Sequence, residues 1–234
     1  MRAAVIIPVF NHASRIAAVV QDASVLGLPI FVVNDGSTDH TAEVLAGLEG
    51  ITVLHHARNL GKGAALLTGF AAAAPTCDWA LTLDGDGQHR PADGQHLLEM
   101  VEQQGTRMVV IGNRQGMEGE HVPWTSRFGR FFSNFWVWAV GGPRVHDSQS
   151  GFRLYPLPEI MQCPASARRY QWEVEILVLA RRRGLTFAEV PVSVVYQPKG
   201  ERISHFRPWV DFRRNSATFS RLFFDRFFPW FRKP

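Results

Sequence analysis

Cysteine is almost missing from this chain: only Cys77 and Cys163 occur, far apart and with no Cys-x-x-Cys pair. A disulfide framework or a structural zinc finger is thereby excluded, and a reducing compartment, the cytoplasm, is expected. Long hydrophobic runs are missing too. The apolar start Met1–Phe10 is cut by Pro8 and followed by Asn11-His12, too short for a signal peptide or for the ~20 apolar residues of a membrane span. It reads as a first strand. Histidines 89, 121 and 146 show no His-x-x-x-His spacing for a metal. No Walker A loop exists, because Gly61-Lys62 lacks the upstream Gly and the following Ser or Thr.

What is present suits a globular protein. A hydrophobic share of 46% over 234 residues supplies a core for one large domain or two fused lobes. The net charge of +4 is uneven: residues 202–234 hold eight Arg or Lys against two Asp, so this stretch carries +6 and the rest −2. The basic stretch is crowded with phenylalanine, which suits a membrane surface and argues against nucleic acid as a partner.

Apolar runs rich in β-formers alternate with helical patterns in the first half. Strands are expected at Ala3–Pro8, Ile30–Asn34, Ile51–His55, Trp79–Leu83 and Met108–Gly112, and helices at Ala13–Leu26, Thr41–Leu48, Gly63–Ala74 and Ala92–Gln103. This alternation predicts an α/β fold with a mainly parallel sheet covered on both faces, which binds ligands at the carboxyl ends of its strands. Later, Tyr170–Arg183 reads as a helix followed by a strand at Glu189–Val192. Glu173 and Glu175 cannot share one helix face, so at most one of them meets a cleft.

Four motifs fall at expected strand ends. Pro8-Val9-Phe10-Asn11 ends the first, and Asn34-Asp35-Gly36-Ser37 the second. Arg58-Asn59-Leu60-Gly61-Lys62-Gly63 opens a helix whose exposed amides favour a phosphate. Asp84-Gly85-Asp86 places two carboxylates past the fourth strand, as Mg²⁺ or Mn²⁺ needs when substrate phosphates complete its shell. Each alone is equally an ordinary Asp-Gly turn or helix start.

Together with Asp147-Ser-Gln-Ser-Gly-Phe-Arg153, these motifs occur in the order seen in family 2 glycosyltransferases. The chain resembles that family from Met1 to about Arg207, and within it the branch of dolichyl-phosphate mannose synthase and bacterial polyprenyl-phosphate glycosyltransferases. The resemblance implies a GT-A fold, and beyond it the helical spacing of Trp209, Phe212, Phe219, Phe223, Phe227 and Trp230 predicts a C-terminal amphipathic helical tail. The resemblance also implies a UDP- or GDP-sugar donor, Mg²⁺ or Mn²⁺ as cofactor, and inversion at the anomeric carbon. By position, Pro8, Phe10, Asn11, Asp35, Lys62, Gly63, Asp84 and Gly85 would bind the donor, and Asp84, Asp86 and Gln88 the metal. Asp86 and Asp147 would be catalytic. The family usually has Glu where this chain has His12, which leaves uridine against guanosine open. The Gln-x-x-Arg-Trp string of processive synthases is absent, which favours transfer of one sugar.

The expected acceptor is lipid-linked, most simply a polyprenyl phosphate held by Arg114, Arg127, Arg130, Ser204 and Arg207, since guanidinium forks match phosphate oxygens. A hydroxyl acceptor, with Asp147 as base, is the alternative. A non-catalytic sugar-nucleotide sensor would normally lack one metal carboxylate, and a pyrophosphorylase would carry Gly-x-Gly-Thr-Arg near its start. Residues 1–207 are expected as the catalytic domain, with a donor half at 1–113 and an acceptor half at 114–207; residues 208–234 form a basic aromatic tail. Phe128 to Val140 is a second aromatic segment suited to a bilayer interface. The expected location is the inner face of the cytoplasmic membrane, and a homo-oligomer is left open.

Overall fold

The computed structural model describes residues 1–115, 124–194 and 208–228. Seven strands form one sheet in the order β3-β2-β1-β4-β6-β5-β7. They are β1 (Ala3–Val9), β2 (Ile30–Asn34), β3 (Ile51–His55), β4 (Trp79–Thr82), β5 (Met108–Arg114), β6 (Arg153–Pro156) and β7 (Thr186–Val192). Only β6 runs against the rest: it pairs antiparallel with β4 and with β5, while β1–β2, β1–β4, β2–β3 and β5–β7 are parallel. The first three strands and the fourth begin where the sequence pattern starts them, and the five expected strands are all present. β6 and the short helix after it, α6 (Leu157–Met161), were not expected.

The helices are α1 (Ile16–Ala23), α2 (Thr41–Ala46), α3 (Lys62–Ala73), α4 (Gly94–Gln104), α5 (Trp124–Ala139), α7 (Gln171–Arg182) and α8 (Pro208–Phe227). The pleat of β1 divides the core. Ala4 and Ile6 join Leu66 and Phe70 of α3 and Trp172 and Ile176 of α7 on one face. Val5 and Ile7 join Ile16 and Val20 of α1 and Leu97 of α4 on the other. Alternation along a strand sends successive side chains to opposite faces, so a strand buried on both must be apolar throughout. β1 is buried at every position. Phe70, Tyr155 and Trp172 meet in a ring cluster with centroids 5.5 to 5.9 Å apart. Truncating the fully buried Trp172 would cost about 3–5 kcal/mol.

The C-terminal helix is part of this core. Phe219 and Leu222 are 2% and 1% exposed, Phe219 stacks on Trp136 of α5, and Arg221 pairs with the buried Glu175 of α7 at 2.6 Å. Outward, Phe131 and Phe224 are 71% and 60% exposed, and Phe128, Phe135, Trp138 and Phe227 are exposed as well. Among the described residues no helix is long and apolar enough to cross a membrane.

Candidate active site

The carboxyl ends of β1, β2, β4 and β5 converge with the start of α3 and the loop 147–152. Two residues past the end of β1 comes Asn11, whose backbone is in the left-handed region at φ 54°. Asn11 Oδ1 accepts the Thr38 N–H at 2.8 Å and its own N–H donates to Ser37 Oγ at 3.0 Å, so the loops after β1 and β2 are laced together. Pro8 is buried in β1, and Phe10 is half-buried beside Asn11. At the end of β2, Asp35 is 3% exposed and accepts the N–H groups of Leu60 and Gly61, both at 2.8 Å, and His56 Nδ1 at 2.7 Å. A carboxylate accepts, so His56 offers its hydrogen from Nδ1, and its Nε2 lies 3.0 Å from Thr68 Oγ1. Asp35 therefore shapes the loop that opens α3.

That loop turns at Gly61, where φ is +103° and a Cβ would lie 2.5 Å from Arg169 Cγ. Gly63 packs directly against Trp172, leaving no space for a side chain. Between them stands Lys62, whose Nζ lies 2.5 Å from Asp84 Oδ1 and 2.7 Å from Glu173 Oε1. Burial works against the ammonium, but Asp84 and then Glu173 outweigh it and hold its pKa above the ordinary lysine value. For Asp84, burial alone would raise the pKa, and Lys62 reverses this, keeping the carboxyl below its usual range. Glu175, two residues from Glu173, faces away and accepts from Ala167 N–H at 2.7 Å.

Asp84-Gly85-Asp86 follows β4 after the buried Leu83. A Cβ on Gly85 would lie 3.2 Å from Val9 Cγ2, so the turn rests on the end of β1. Asp86 Oδ1 accepts the Gln88 N–H at 3.0 Å, an Asx turn that orients the carboxylate. His89 Nε2 is 4.0 Å from Asp84 Oδ2, and burial lowers its pKa to about 4, against the pull of Asp84. It is neutral at pH 7. Bare backbone closes the cradle: a Cβ on Gly151 would meet Asp84 Oδ2 at 2.5 Å and Lys62 Nζ at 2.6 Å. The Asp84 and Asp86 carboxylates and the Gln88 amide are oxygen donors of the chemical kind that Mg²⁺ or Mn²⁺ takes when phosphates fill its remaining positions. Among the described residues no group of three or more His, Cys, Asp or Glu gathers as a self-sufficient metal cage.

At the end of β5, Arg114 grips Asp147 with two bonds, Nε to Oδ2 at 2.6 Å and Nη2 to Oδ1 at 2.9 Å. Asp147 is fully buried. Burial pushes its carboxyl up, but the hydrogen-bonded Arg114, helped by Arg130, holds it below the usual range. Arg130 is half-buried on α5 and Arg127 is exposed. Ser204, Arg207 and His121 lie outside the described residues.

Sequence reasoning missed three supports of this site. Arg153, fully buried on β6, donates to the Glu173 carbonyl at 2.7 Å and the Ser148 carbonyl at 2.8 Å, tying α7 to the loop 147–152. Glu189 accepts from His146 Nδ1 at 2.7 Å and from the Asp147 N–H at 3.2 Å. His56 is the third, and a second histidine straight after β3 was its only signal.

With this geometry in hand, comparison with known proteins is decisive. The family model "Glycosyl transferase family 2" matches residues 4–160. The chain belongs to glycosyl transferase family 2. This glycosyltransferase is 35% identical over 200 residues to an uncharacterized protein of Methanocaldococcus jannaschii, covering 82% of this chain and 81% of that one. It is 29% identical over 213 residues to the UDP-N-acetylglucosamine–dolichyl-phosphate N-acetylglucosaminyltransferase of Methanococcus voltae, covering 82% and 84%. Among solved structures, a mannosyltransferase from Pyrobaculum calidifontis, in complex with GDP-Man and Mn²⁺, superimposes with a TM-score of 0.61 at 16% identity. That match covers 100% of this chain and 66% of the other and bears out the GT-A fold.

Proposed function

We propose that this glycosyltransferase moves one sugar from a nucleoside-diphosphate sugar to a lipid-linked phosphate, with inversion at the anomeric carbon and with Mg²⁺ or Mn²⁺. The observation that carries the reading is the pair of carboxylates on β4's end, Asp84 set against Lys62 and glycine backbone at Gly151. When bound there, a divalent cation would neutralise the charge that collects on the leaving diphosphate as the sugar gains oxocarbenium character. Lys62 holds Asp84 ionised, and Gly151 leaves the room a diphosphate needs. Pro8, Phe10, Asn11 and Asp35 would frame the nucleoside, and Gly63 and Gly85 keep the backbone close.

The state of Asp147 favours a phosphate acceptor over a hydroxyl. A base that must take a proton from an alcohol gains from a raised pKa, whereas Asp147 is held low by a bidentate arginine. A phosphate acceptor is already anionic and requires cationic positioning instead, which Arg114, Arg127 and Arg130 would give, with Ser204 and Arg207 proposed beside them. The aromatic faces of α5 and α8 would rest on the inner face of the cytoplasmic membrane, where such an acceptor resides. The relative from Methanococcus voltae bears a dolichyl-phosphate transferase name, which supports this acceptor class.

The test is transfer from UDP- and GDP-sugars to a polyprenyl phosphate and to the matching polyprenol, with Mn²⁺ or with chelator. The phosphate should be glycosylated only with metal present. Transfer to the alcohol alone would overturn the reading and return Asp147 to the role of base.

A further inference from the structure

Asn134 reaches from α5 to the backbone on both sides of Asp147. We propose that Asn134 is a positioning residue for the transfer reaction: it holds the chain around Asp147 and so sets where the pair of Arg114 and Asp147 meets the acceptor. The inference rests on the reading of that pair as part of the seat of a lipid-linked phosphate.

The geometry is specific. Asn134 Nδ2 donates to the His146 carbonyl at 2.7 Å, and its Oδ1 accepts the Ser148 N–H at 2.9 Å. One amide thus reaches both peptide groups that flank Asp147. The partners fix which way the amide points, because a carbonyl only accepts and a backbone N–H only donates. Glu189 Oε1 of β7 takes the N–H groups of His146 at 2.8 Å and Asp147 at 3.2 Å. With its backbone held between α5 and β7, the fully buried Asp147 points its carboxylate at Arg114, which it meets with two bonds.

The place of Asn134 in its helix adds to the argument. Asparagine is a poor helix former, since its amide competes for backbone groups, yet residue 134 lies inside the 16-residue α5. Its amide is directed to the loop and not to its own helix. Arg130 precedes it by four residues and shares its stripe of the helix, and the charge of Arg130 also acts on Asp147. Ser133 Oγ lies 2.7 Å from Ser148 Oγ, and Gln149 Nε2 donates to the Gly129 carbonyl at 3.3 Å. These two contacts fasten helix to loop without touching the peptide groups of Asp147. Phe131, Phe135 and Trp138 of the same helix are exposed. The helix that presents aromatics outward therefore carries the bracket on Asp147 inward.

The experiment uses the full chain with Asn134→Ala, which suits a helix better than asparagine and should fold, and with Ser133→Ala as a control on the same turn. Transfer from UDP- and GDP-sugars to a polyprenyl phosphate is measured with Mn²⁺, and the donor Kd by calorimetry. Asn134→Ala should raise the KM for the polyprenyl phosphate about tenfold, the value of one or two hydrogen bonds. The donor Kd and kcat should change by less than about threefold, since neither depends on the bracket. Ser133→Ala should leave the acceptor KM within about threefold of wild type, because the bracket remains. Urea midpoints of Asn134→Ala, Asp147→Asn and the double variant form a cycle that requires no turnover. A bracket that acts through Asp147 makes the loss in the double variant smaller than the sum of the single losses, whereas plain fastening of helix to loop makes them additive. A wild-type acceptor KM in Asn134→Ala, a donor Kd weakened as much as the acceptor KM, or additive midpoints would overturn the inference. Transfer by wild type to the polyprenol alone would overturn the phosphate reading instead, and non-additive midpoints would then still support Asn134 as the holder of Asp147.

Discussion

Replacing Lys62 with methionine tests the electrostatics of the site most sharply. The ammonium is 14% exposed and lies between Asp84, 26% exposed, and Glu173, 9% exposed. Lys62→Met keeps the length of the side chain but leaves two carboxylates facing one another across an apolar group. Breaking a buried pair costs about 3–5 kcal/mol, because the remaining charge stays desolvated. Water reaches Asp84, so the lower end applies, about 3 kcal/mol. For a domain of this size that corresponds to a fall in Tm of roughly 6–12 °C. Glu173→Gln is milder: Lys62 keeps Asp84 and gains a neutral amide, for a loss of about 1 kcal/mol. Thermal melts followed by circular dichroism would measure both. If Asp84 also takes a divalent cation, Mn²⁺ should restore part of the lost Tm in Lys62→Met, since it replaces the missing positive charge. A variant melting within about 2 °C of wild type, less than 1 kcal/mol here, would refute the idea that Lys62 is the counter-charge of this site.

Further expectations follow from other contacts. Gly151→Ala should lower turnover by about a hundredfold or more, because misplacing reacting groups by an ångström costs that much, with circular dichroism unchanged; wild-type turnover would contradict the close approach to Asp84 and Lys62. Asp147 has a pKa depressed in the folded state, so it contributes stability above the ordinary carboxylate range that is lost as the pH falls below about 4. Asp147→Asn should be less stable at pH 7 yet flatter in urea midpoint over that acid range, and an unchanged acid slope would sink the assignment. Removing the whole tail would expose the core around Phe219 and Leu222, so membrane attachment is better tested with Phe131→Ser and Phe224→Ser. These exposed changes should leave the Tm near wild type while reducing flotation with anionic vesicles severalfold.

The strands were legible because they are short runs of β-formers between helical patterns, and β2 and β3 begin and end at the expected residues. β6 was not legible. It is only four residues long, starts with a fully buried arginine and ends in proline, so neither alternation nor apolarity marks it. The satisfaction of Arg153 by carbonyls from two distant segments exists only in three dimensions. The same is true of the ion pair between Arg114 and Asp147: both residues were singled out for the acceptor side, yet nothing in a separation of 33 positions announces that one grips the other. The choice between Glu173 and Glu175 was anticipated only as a choice, and packing of α7 against α3 and α8 decides it. The aromatic tail was legible as a helix, but the share of it that joins the core depends on α5, which offers Trp136 and Phe132 to Phe219.

The central claim is that Asp84 and Asp86 hold a cation on a sugar nucleotide's diphosphate. Calorimetric titration of UDP- and GDP-sugars into wild type, Asp84→Ala and Asp86→Ala, each with Mn²⁺ and with chelator, tests it directly. The account predicts Mn²⁺-dependent binding of one donor class by wild type, lost by at least about tenfold in each variant, with melting curves that show both variants folded. Donor binding of equal strength with chelator, or unchanged in both variants, would contradict it.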